Sequence, residues 1–266
     1  MCTVTVIPAR TVADGAGGAA TPLRVVVNRD ELRTRPPALP PERVRLGDRG
    51  AVMPIDPRSR GTWVAASDAG LIACLLNASP AGASVGGILN AITADPPASR
   101  GEIIPRILTA PDIRSALKLT AAIDPVRYPP FRLLVLDAQS VFTAASDGAR
   151  ITLAPTAVLA GPLMVTSSGL GDHLVESPRR ALYDHLLAEH ADPLDAQARF
   201  HTDHAPGRAH LSVLMSRPDA RTVSKTLLDL HRSYTVMRYI AIDDALSPEP
   251  EPPPLHLSFV RDEVAA

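Results

Sequence analysis

The chain has 266 residues, a formal net charge of -1 and 45% hydrophobic residues. This length suffices for one large domain with a sizeable core or for two small domains. Lys and Arg are not concentrated in any one patch, which argues against nucleic acid and anionic membrane as partners. No run reaches the roughly 18 apolar residues of a membrane span, and residues 1–10 lack the features of a signal peptide.

The two cysteines, Cys2 and Cys74, are too few for a disulfide scaffold. They favour a reducing, cytoplasmic setting. Cys74 lies inside the apolar run 71–76 and is interpreted as a small buried hydrophobic residue.

The first strand begins with a candidate nucleophile. Residues 2–7 alternate as a strand does, and Met1 is expected to be removed because the next side chain is small. The Cys2 thiol would then lie beside a free α-amine. These groups titrate near ~8.5 and ~7.7–8.0, so the amine can accept the thiol proton. The alternative is an inert strand cysteine.

Short aliphatic segments separated by turn residues predict a series of strands. They are residues 2–7, 23–27, 62–66, 71–76, 132–136, 141–145, 150–153, 163–166, 211–215, 222–230 and 236–242. Turn residues at 14–18 and 67–70 predict two hairpins.

Helices are predicted after Ser99, from Pro111 onwards and over 175–190. The Pro- and Arg-rich residues 33–60 are predicted to form a long loop at the rim of an active site. Residues 247–254 read as an extended, solvated proline-rich spacer. The order of elements favours an α+β fold with two stacked, largely antiparallel sheets and helices outside.

Asn28-Arg29-Asp30-Glu31 ends the second predicted strand and precedes the proline-rich segment. Further segments of the chain follow in the order in which one known family has them. They are Met1-Cys2, Gly61-Thr62-Trp63, Asn77, Ser99-Arg100-Gly101-Glu102, Phe131 and Asp219-Ala220-Arg221-Thr222-Val223-Ser224. From Cys2 to about Tyr239, this series resembles the NRDE family, also named after transport and Golgi organisation. That family is similar to the cysteine N-terminal-nucleophile hydrolases, which include bile-salt hydrolases, penicillin V acylases and acid ceramidase.

The resemblance implies a four-layer αββα sandwich, here one domain over residues 1–266. It implies hydrolysis of a carbon–nitrogen (amide) bond in a small molecule, with no external cofactor or metal. Cys2 would be the nucleophile, its α-amine the base, and Asn77 a donor to the oxyanion. Arg29 or Asp30 would orient the N-terminus or lower the thiol pKa. Related hydrolases often self-associate, so a homo-oligomer is a further expectation.

Two features depart from the hydrolase pattern. The hydrolases carry Arg-x-x-Asp on the second strand, whereas Arg29 and Asp30 are adjacent. Adjacent strand residues point to opposite faces, so only one should face the thiol unless the strand bulges or ends there. Ser167-Ser168 stands where many relatives have Ser-Asn. A serine hydroxyl would therefore replace an asparagine as the second oxyanion or substrate contact.

Late arginines could supply the positive charge expected from the C-terminal strands, and spacing does not choose between Arg217 and Arg221. Structural alternatives also stay open. Arg29 and Asp30 could form a buried ion pair, and Asn77 could simply make a turn. Trp63 is interpreted as a packing residue in preference to a ligand platform.

His201 and His204 lie among turn-forming residues, and no Cys or Glu completes a ligand set. We interpret this segment as a solvated polar loop in preference to a metal site. A rival function uses the same fold without catalysis, as a haem or lipid-like ligand binding or trafficking protein. The family association with haem handling and lipid homeostasis supports that rival.

Overall fold

The structure is a computed structural model, and it describes residues 2–10, 21–79 and 97–258. The predicted turn at 14–18 lies outside the described residues. In the described part, the strands form two sheets in which every paired strand runs antiparallel to its neighbour.

The strands are, in chain order, β1 (Cys2–Ile7), β2 (Leu23–Leu32), β3 (Leu39–Leu46), β4 (Arg49–Ile55), β5 (Val64–Ser67), β6 (Ile72–Asn77), β7 (Phe131–Leu136), β8 (Ser140–Ser146), β9 (Ile151–Leu153), β10 (Ala157–Val158), β11 (Leu163–Thr166), β12 (Ala220–Leu230), β13 (Tyr234–Ala241) and β14 (Leu255–Ser258). The first sheet has the order β11-β1-β2-β12-β13-β14. The second has the order β10-β8-β7-β6-β5-β4-β3, with β9 paired to β8.

Four α-helices lie in the described part: α1 (Ile103–Ile107), α2 (Ile113–Ala121), α3 (Asp172–Glu189) and α4 (Pro193–Phe200). Local sequence explains where the last one begins. Asp192 accepts a hydrogen bond from the Leu194 N–H at 2.9 Å, and Pro193 occupies the first turn, where its missing N–H costs nothing. None of the described helices is both long enough and apolar enough to cross a membrane.

Strand alternation divides the core into three layers. Every second residue of β1 and β2, such as Val4 and Val27, packs against residues of the second sheet such as Ile72. The opposite face of the second sheet packs under α1 and α2. The opposite face of the first sheet packs under α3 and α4. The predicted four-layer αββα sandwich is therefore confirmed.

Two local predictions are wrong, and one strand was not predicted. Residues 33–60 contain the hairpin β3–β4 in place of a long loop. Pro40 and Pro41 obscured it, and β3 tolerates them because it is an edge strand whose register with β4 is interrupted between Leu39 and Glu42. Residues 211–215 are irregular, and their backbone groups bond to nearby loop residues. The residues after the proline-rich spacer form a short strand, β14, that composition did not indicate.

Candidate active site

Cys2 begins a strand that has a neighbour on each side. It pairs with Arg29 of β2, and the next residue, Thr3, pairs with Thr166 of β11. Cys2 is 3% exposed and belongs to the cluster between the two sheets. The thiol therefore lies in the inner layer, on the face that looks towards β6, against which β1 packs.

Ser167 holds the main chain of Cys2 from the β11 side. The Cys2 N–H donates to Ser167 Oγ at 3.2 Å, and the Ser167 N–H donates to the Cys2 carbonyl oxygen at 2.9 Å. Ser168 has different contacts, because its N–H donates to Asp172 Oδ1 at 2.9 Å at the start of α3. Of the two predicted serines, the structure places Ser167 against Cys2 and ties Ser168 to the helix.

Arg29 occupies the inner face beside Cys2. Its Nη2 lies 2.7 Å from Asp56 Oδ2 and 3.3 Å from Glu31 Oε2. The guanidinium carbon is 4.1 Å from the ring centroid of Trp63, which is 6% exposed. The ion-pair alternative with Asp30 is wrong, because the side chain of Arg29 points the other way and pairs with Asp56.

Asp56 forms ion pairs with two arginines, Arg29 and Arg35. Its Oδ2 also lies 2.9 Å from Nε of Arg35, and its Oδ1 accepts the Ser59 N–H at 3.0 Å. Burial alone would raise the pKa of Asp56. The hydrogen bonds from Arg35 and Ser59 and the charges of Arg35 and Arg29 instead lower that pKa to about 2. Asp56 thus stays ionised at neutral pH and fixes the guanidinium of Arg29.

Asp30 lies on the outer face of the first sheet, under α3, and is 2% exposed. Thr222 Oγ1 donates to Asp30 Oδ1 at 2.7 Å. Burial raises the pKa of Asp30, against the opposing effects of the Arg179 charge and the Thr222 hydrogen bond. The bulge in this region falls on β12, between Thr222 and Ser224, so β2 keeps its alternation. The expectation that Arg29 and Asp30 face opposite ways is confirmed.

The surroundings of the thiol oppose its ionisation. Burial raises the pKa of Cys2, the negative charges of Asp30 and Glu31 raise it further, and the positive charge of Arg29 lowers it. The Cys2 thiol therefore requires a further positive charge or an adjacent base to become a thiolate near neutral pH. Burial also raises the pKa of Cys74, which is 0% exposed, as the apolar run predicted.

Asn77 is the last residue of β6. The Ala78 N–H donates to the Pro130 carbonyl at 3.1 Å, so by antiparallel alternation the Asn77 N–H points away from β7. It points to the same side as the Leu75 N–H, which donates to Trp63 O at 2.8 Å. Because side chains alternate along a strand, the Asn77 side chain lies on the same face as that of Leu75. This is the face of the second sheet that is turned away from Cys2.

Arg100 is a cation to which the sequence analysis assigned no role in the site. Its Nη1 donates to the Pro130 carbonyl at 2.8 Å. The next residue, Gly101, packs against Gly61, and its carbonyl accepts the Thr62 N–H at 3.0 Å. Burial lowers the pKa of Arg100 to about 10, and charges on Glu31 and Cys2 oppose this shift. The Ser-Arg-Gly segment therefore carries a half-buried cation that is fixed to the residue preceding β7.

A cavity of about 520 Å³ opens beside Arg29 at the edge of the inner layer. The first sheet contributes Arg29, Glu31, Arg221 and Tyr239 to its wall, and two proline-rich segments, 36–40 and 250–252, close it. Arg217 is not among the residues that line this cavity; it is 8% exposed, and its charge lowers the pKa of Asp30 on the outer face of the same sheet. The two late arginines thus lie on different faces of the first sheet. Arg221 lines the cavity, whereas Arg217 lies in the outer layer.

Sequence reasoning missed a buried polar network around Asn28 and His201. His201 is 1% exposed, its Nδ1 lies 3.0 Å from Asn28 Oδ1, and its Nε2 lies 2.7 Å from Thr5 Oγ1. Burial lowers the pKa of His201 well below its ordinary value. The solvated-loop interpretation is wrong for His201, because β1 and β2 supply its partners, whereas His204 is exposed as expected. The described residues contain no cluster of three or more metal-ligating side chains.

The sequence profile of the family Transport and Golgi organisation 2 (TANGO2) matches residues 1–194, well over half of the chain. The chain belongs to the TANGO2 family. The predicted family is thus confirmed, over residues 1–194. No curated protein matches this TANGO2-family chain in sequence.

Two hydrolases are among the solved structures similar to this TANGO2-family chain. A Caenorhabditis elegans ortholog of N-acylethanolamine-hydrolyzing acid amidase superposes with a TM-score of 0.54 at 15% identity, covering 86% of this chain and 92% of that chain. The C2A mutant of the conjugated bile acid hydrolase from Clostridium perfringens has a TM-score of 0.45 at 10% identity, covering 96% and 92%. The likeness to the worm amidase shows that the TANGO2-family chain has this hydrolase fold.

Proposed function

We propose that this protein is an N-terminal-nucleophile hydrolase that cleaves an amide bond of a small molecule with Cys2. The observation that carries the proposal is the position of the Cys2 main-chain nitrogen. It is held at 3.2 Å by Ser167 Oγ, at the start of a strand that has neighbours on both sides. If Met1 is removed, this nitrogen becomes an α-amine that is already fixed beside its own thiol.

The amine would supply the charge and the base that the thiol lacks. An α-ammonium next to the thiol lowers the thiol pKa, adding to the effect of Arg29. In its neutral form the amine accepts the thiol proton as the sulfur attacks the amide carbonyl. Ser167 Oγ would keep the amine in place, and Asp30 on the outer face would balance its positive charge.

The reaction then has two steps, acylation of the Cys2 thiol and hydrolysis of the resulting thioester. The thiolate forms a C–S bond and gives a tetrahedral oxyanion, whose collapse breaks the C–N bond, and the α-ammonium protonates the leaving amine. Water then attacks the thioester with the α-amine as base, which releases the carboxylic acid and restores the thiol. Asn77 is the proposed oxyanion donor through its main-chain N–H, which points away from β7, because its side chain lies on the far face of the second sheet from Cys2. Such a donor is worth about 10²–10³ in rate.

The substrate would bind in the cavity beside Arg29. Its volume of about 520 Å³ falls within the range of about 300–1,000 Å³ typical of small-molecule sites. Arg221 lines the wall, whereas Trp63 lies under Arg29 and would support the cation. The same cavity also fits the rival function, binding of a lipid-like ligand, because prolines, Leu32 and Ile242 make part of its wall apolar.

The test compares two forms of one protein, a fusion with a cleavable leader and the cleaved form that begins at Cys2. Both carry Cys74→Ser, so that alkylation by iodoacetamide reports on Cys2 alone. We expect the cleaved form to react fast below pH 7 and the fusion to react slowly. We also expect only the cleaved form to release amine from a panel of N-acyl amides, with Cys2→Ser abolishing that release.

Equal and slow alkylation of both forms, with no amine released, contradicts the proposal. Unchanged binding of a fluorescent fatty acid by the Cys2→Ser variant, together with that result, supports the binding function instead.

A further inference from the structure

Arg179 of α3 lies directly beneath the nucleophile strand on the outer face of the first sheet. It is 2% exposed, although a guanidinium is costly to bury. Its Nη1 donates to both Thr3 Oγ1 and Thr166 Oγ1 at 2.7 Å, and these hydroxyl oxygens are themselves 2.9 Å apart. Arg179 thus bridges the β1–β11 ladder at one cross-strand pair.

That pair is adjacent to the candidate catalytic residues on both strands. Thr3 follows Cys2, and Thr166 precedes Ser167. Because side chains alternate, the two threonines point to the outer face while Cys2 points to the inner face. A fixed Thr3–Thr166 pair therefore fixes the Cys2 nitrogen against Ser167 Oγ, although Arg179 itself never touches the thiol.

The rest of the guanidinium is anchored to a loop on the same face. Its Nε donates to the Leu211 carbonyl at 3.0 Å, and its Nη2 donates to the Ser212 carbonyl at 2.6 Å. This planar fork with fixed donors is a geometry that lysine cannot reproduce. The loop 211–215 continues to Met215, whose N–H donates to Thr222 Oγ1 at 2.8 Å, and Thr222 in turn donates to Asp30.

The positive charge of Arg179 also acts on groups near the nucleophile strand. The titratable groups that face Arg179 are Asp30, Asp203, Arg217 and His201. The Arg179 charge lowers the pKa of Asp30 against burial, which raises it. Arg179 therefore helps to keep a carboxylate ionised beside the end of the strand that carries the nucleophile.

We propose that Arg179 is the positioning residue of the N-terminal nucleophile, holding Cys2 and Ser167 in register through the Thr3–Thr166 pair. This inference rests on the proposed function, because it assigns a role only if Cys2 is the activated residue. It predicts that reactivity of Cys2 depends on a side chain on the far side of the sheet.

The experiment measures the rate of Cys2 alkylation by iodoacetamide from pH 5.5 to 9 in the cleaved form carrying Cys74→Ser. Arg179→Met and Arg179→Lys are compared with Arg180→Met. Arg180 is on the same helix, and its Nη2 donates to the Met164 carbonyl at 2.7 Å. We expect the pH profile of Arg179→Met to move towards that of an ordinary cysteine. A rise of one pKa unit lowers the rate below pH 7 about tenfold.

We expect Arg179→Lys to recover part of the shift and Arg180→Met to match the parent. Thr166→Val removes one acceptor without unbalancing a buried charge, so it tests the inference even if Arg179→Met fails to fold. If the parent is alkylated fast below pH 7 and Thr166→Val and Arg179→Lys both have the same pH profile as the parent, the inference is overturned and the proposed function stays intact. An ordinary profile in the parent itself overturns both.

Discussion

Cys2 and Arg29 are direct cross-strand partners, and both side chains lie in the layer between the sheets. The cation is not mobile, because Asp56 and Glu31 pair with it and Trp63 lies beneath it. A fixed positive charge next to a thiol lowers the thiol pKa without any cost of reorganisation.

Arg29→Met leaves Asp56 buried with Arg35 as its remaining cation. Breaking a buried pair by removing one partner typically costs about 3–5 kcal/mol, and Arg35 should keep the loss near the lower end. Urea denaturation at pH 7 measures this change. The double variant Arg29→Met/Asp56→Asn should recover much of the lost stability, and no recovery would contradict the pairing as its cause.

Ser167→Ala removes the acceptor of the Cys2 N–H. A hydrogen bond that involves a charged group contributes about 1.5–3 kcal/mol, so we expect alkylation of the cleaved protein at pH 6.5 to slow by tenfold or more. Ser168→Ala is the matched control, since Ser168 Oγ accepts from the Leu170 N–H. Equal rates in the two variants would assign no special role to Ser167.

Gly61→Ala should separate the segment that precedes β5 from the Ser-Arg-Gly segment. A Cβ at Gly61 would lie 2.5 Å from the backbone of Gly101. Overpacking of this kind costs about 1–3 kcal/mol. Gly161→Ala is the control, because a Cβ there meets nothing within 4 Å. Thermal melting of the two variants should differ, with Gly61→Ala the lower, and equal melting temperatures would contradict the close approach.

His201 makes stability sensitive to mild acid. Burial lowers its pKa in the folded state, so the unfolded chain binds its proton first. The contribution of His201 is therefore fully present above about pH 6.5, the ordinary value, and is lost as the pH falls below it. His201→Gln should flatten this dependence between pH 7 and 5, measured as the urea midpoint. A parent chain with equal midpoints at pH 7 and 5 would contradict the assignment.

Much of the fold could be predicted from local patterns. β1, β12 and β13 alternate clearly, and the hairpin β5–β6 has turn residues between apolar segments. β3 could not be found, because its prolines are typical of loops and are tolerated only by its position at the sheet edge and by the break in its register with β4.

The features of the candidate site that could be predicted are those set by residues adjacent in the sequence. The opposite faces of Arg29 and Asp30 follow from strand alternation. The partner of Arg29, Asp56, lies in a segment read as a loop, and Arg179 lies on a helix far along the chain. Contacts of this kind depend on how the layers pack, which a single sequence does not specify.

The tetrapeptide Asn28–Glu31 has a consequence for protein design. Asn28 and Asp30 belong to the helix-covered layer, whereas Arg29 and Glu31 belong to the inner layer. A transplant of the inner chemistry into another sandwich would need only the odd-numbered pair, with the even-numbered pair chosen to suit the recipient's helices. Conversely, deleting one residue of β2 ahead of Asn28 would exchange the two sets of side chains between layers and disrupt both at once.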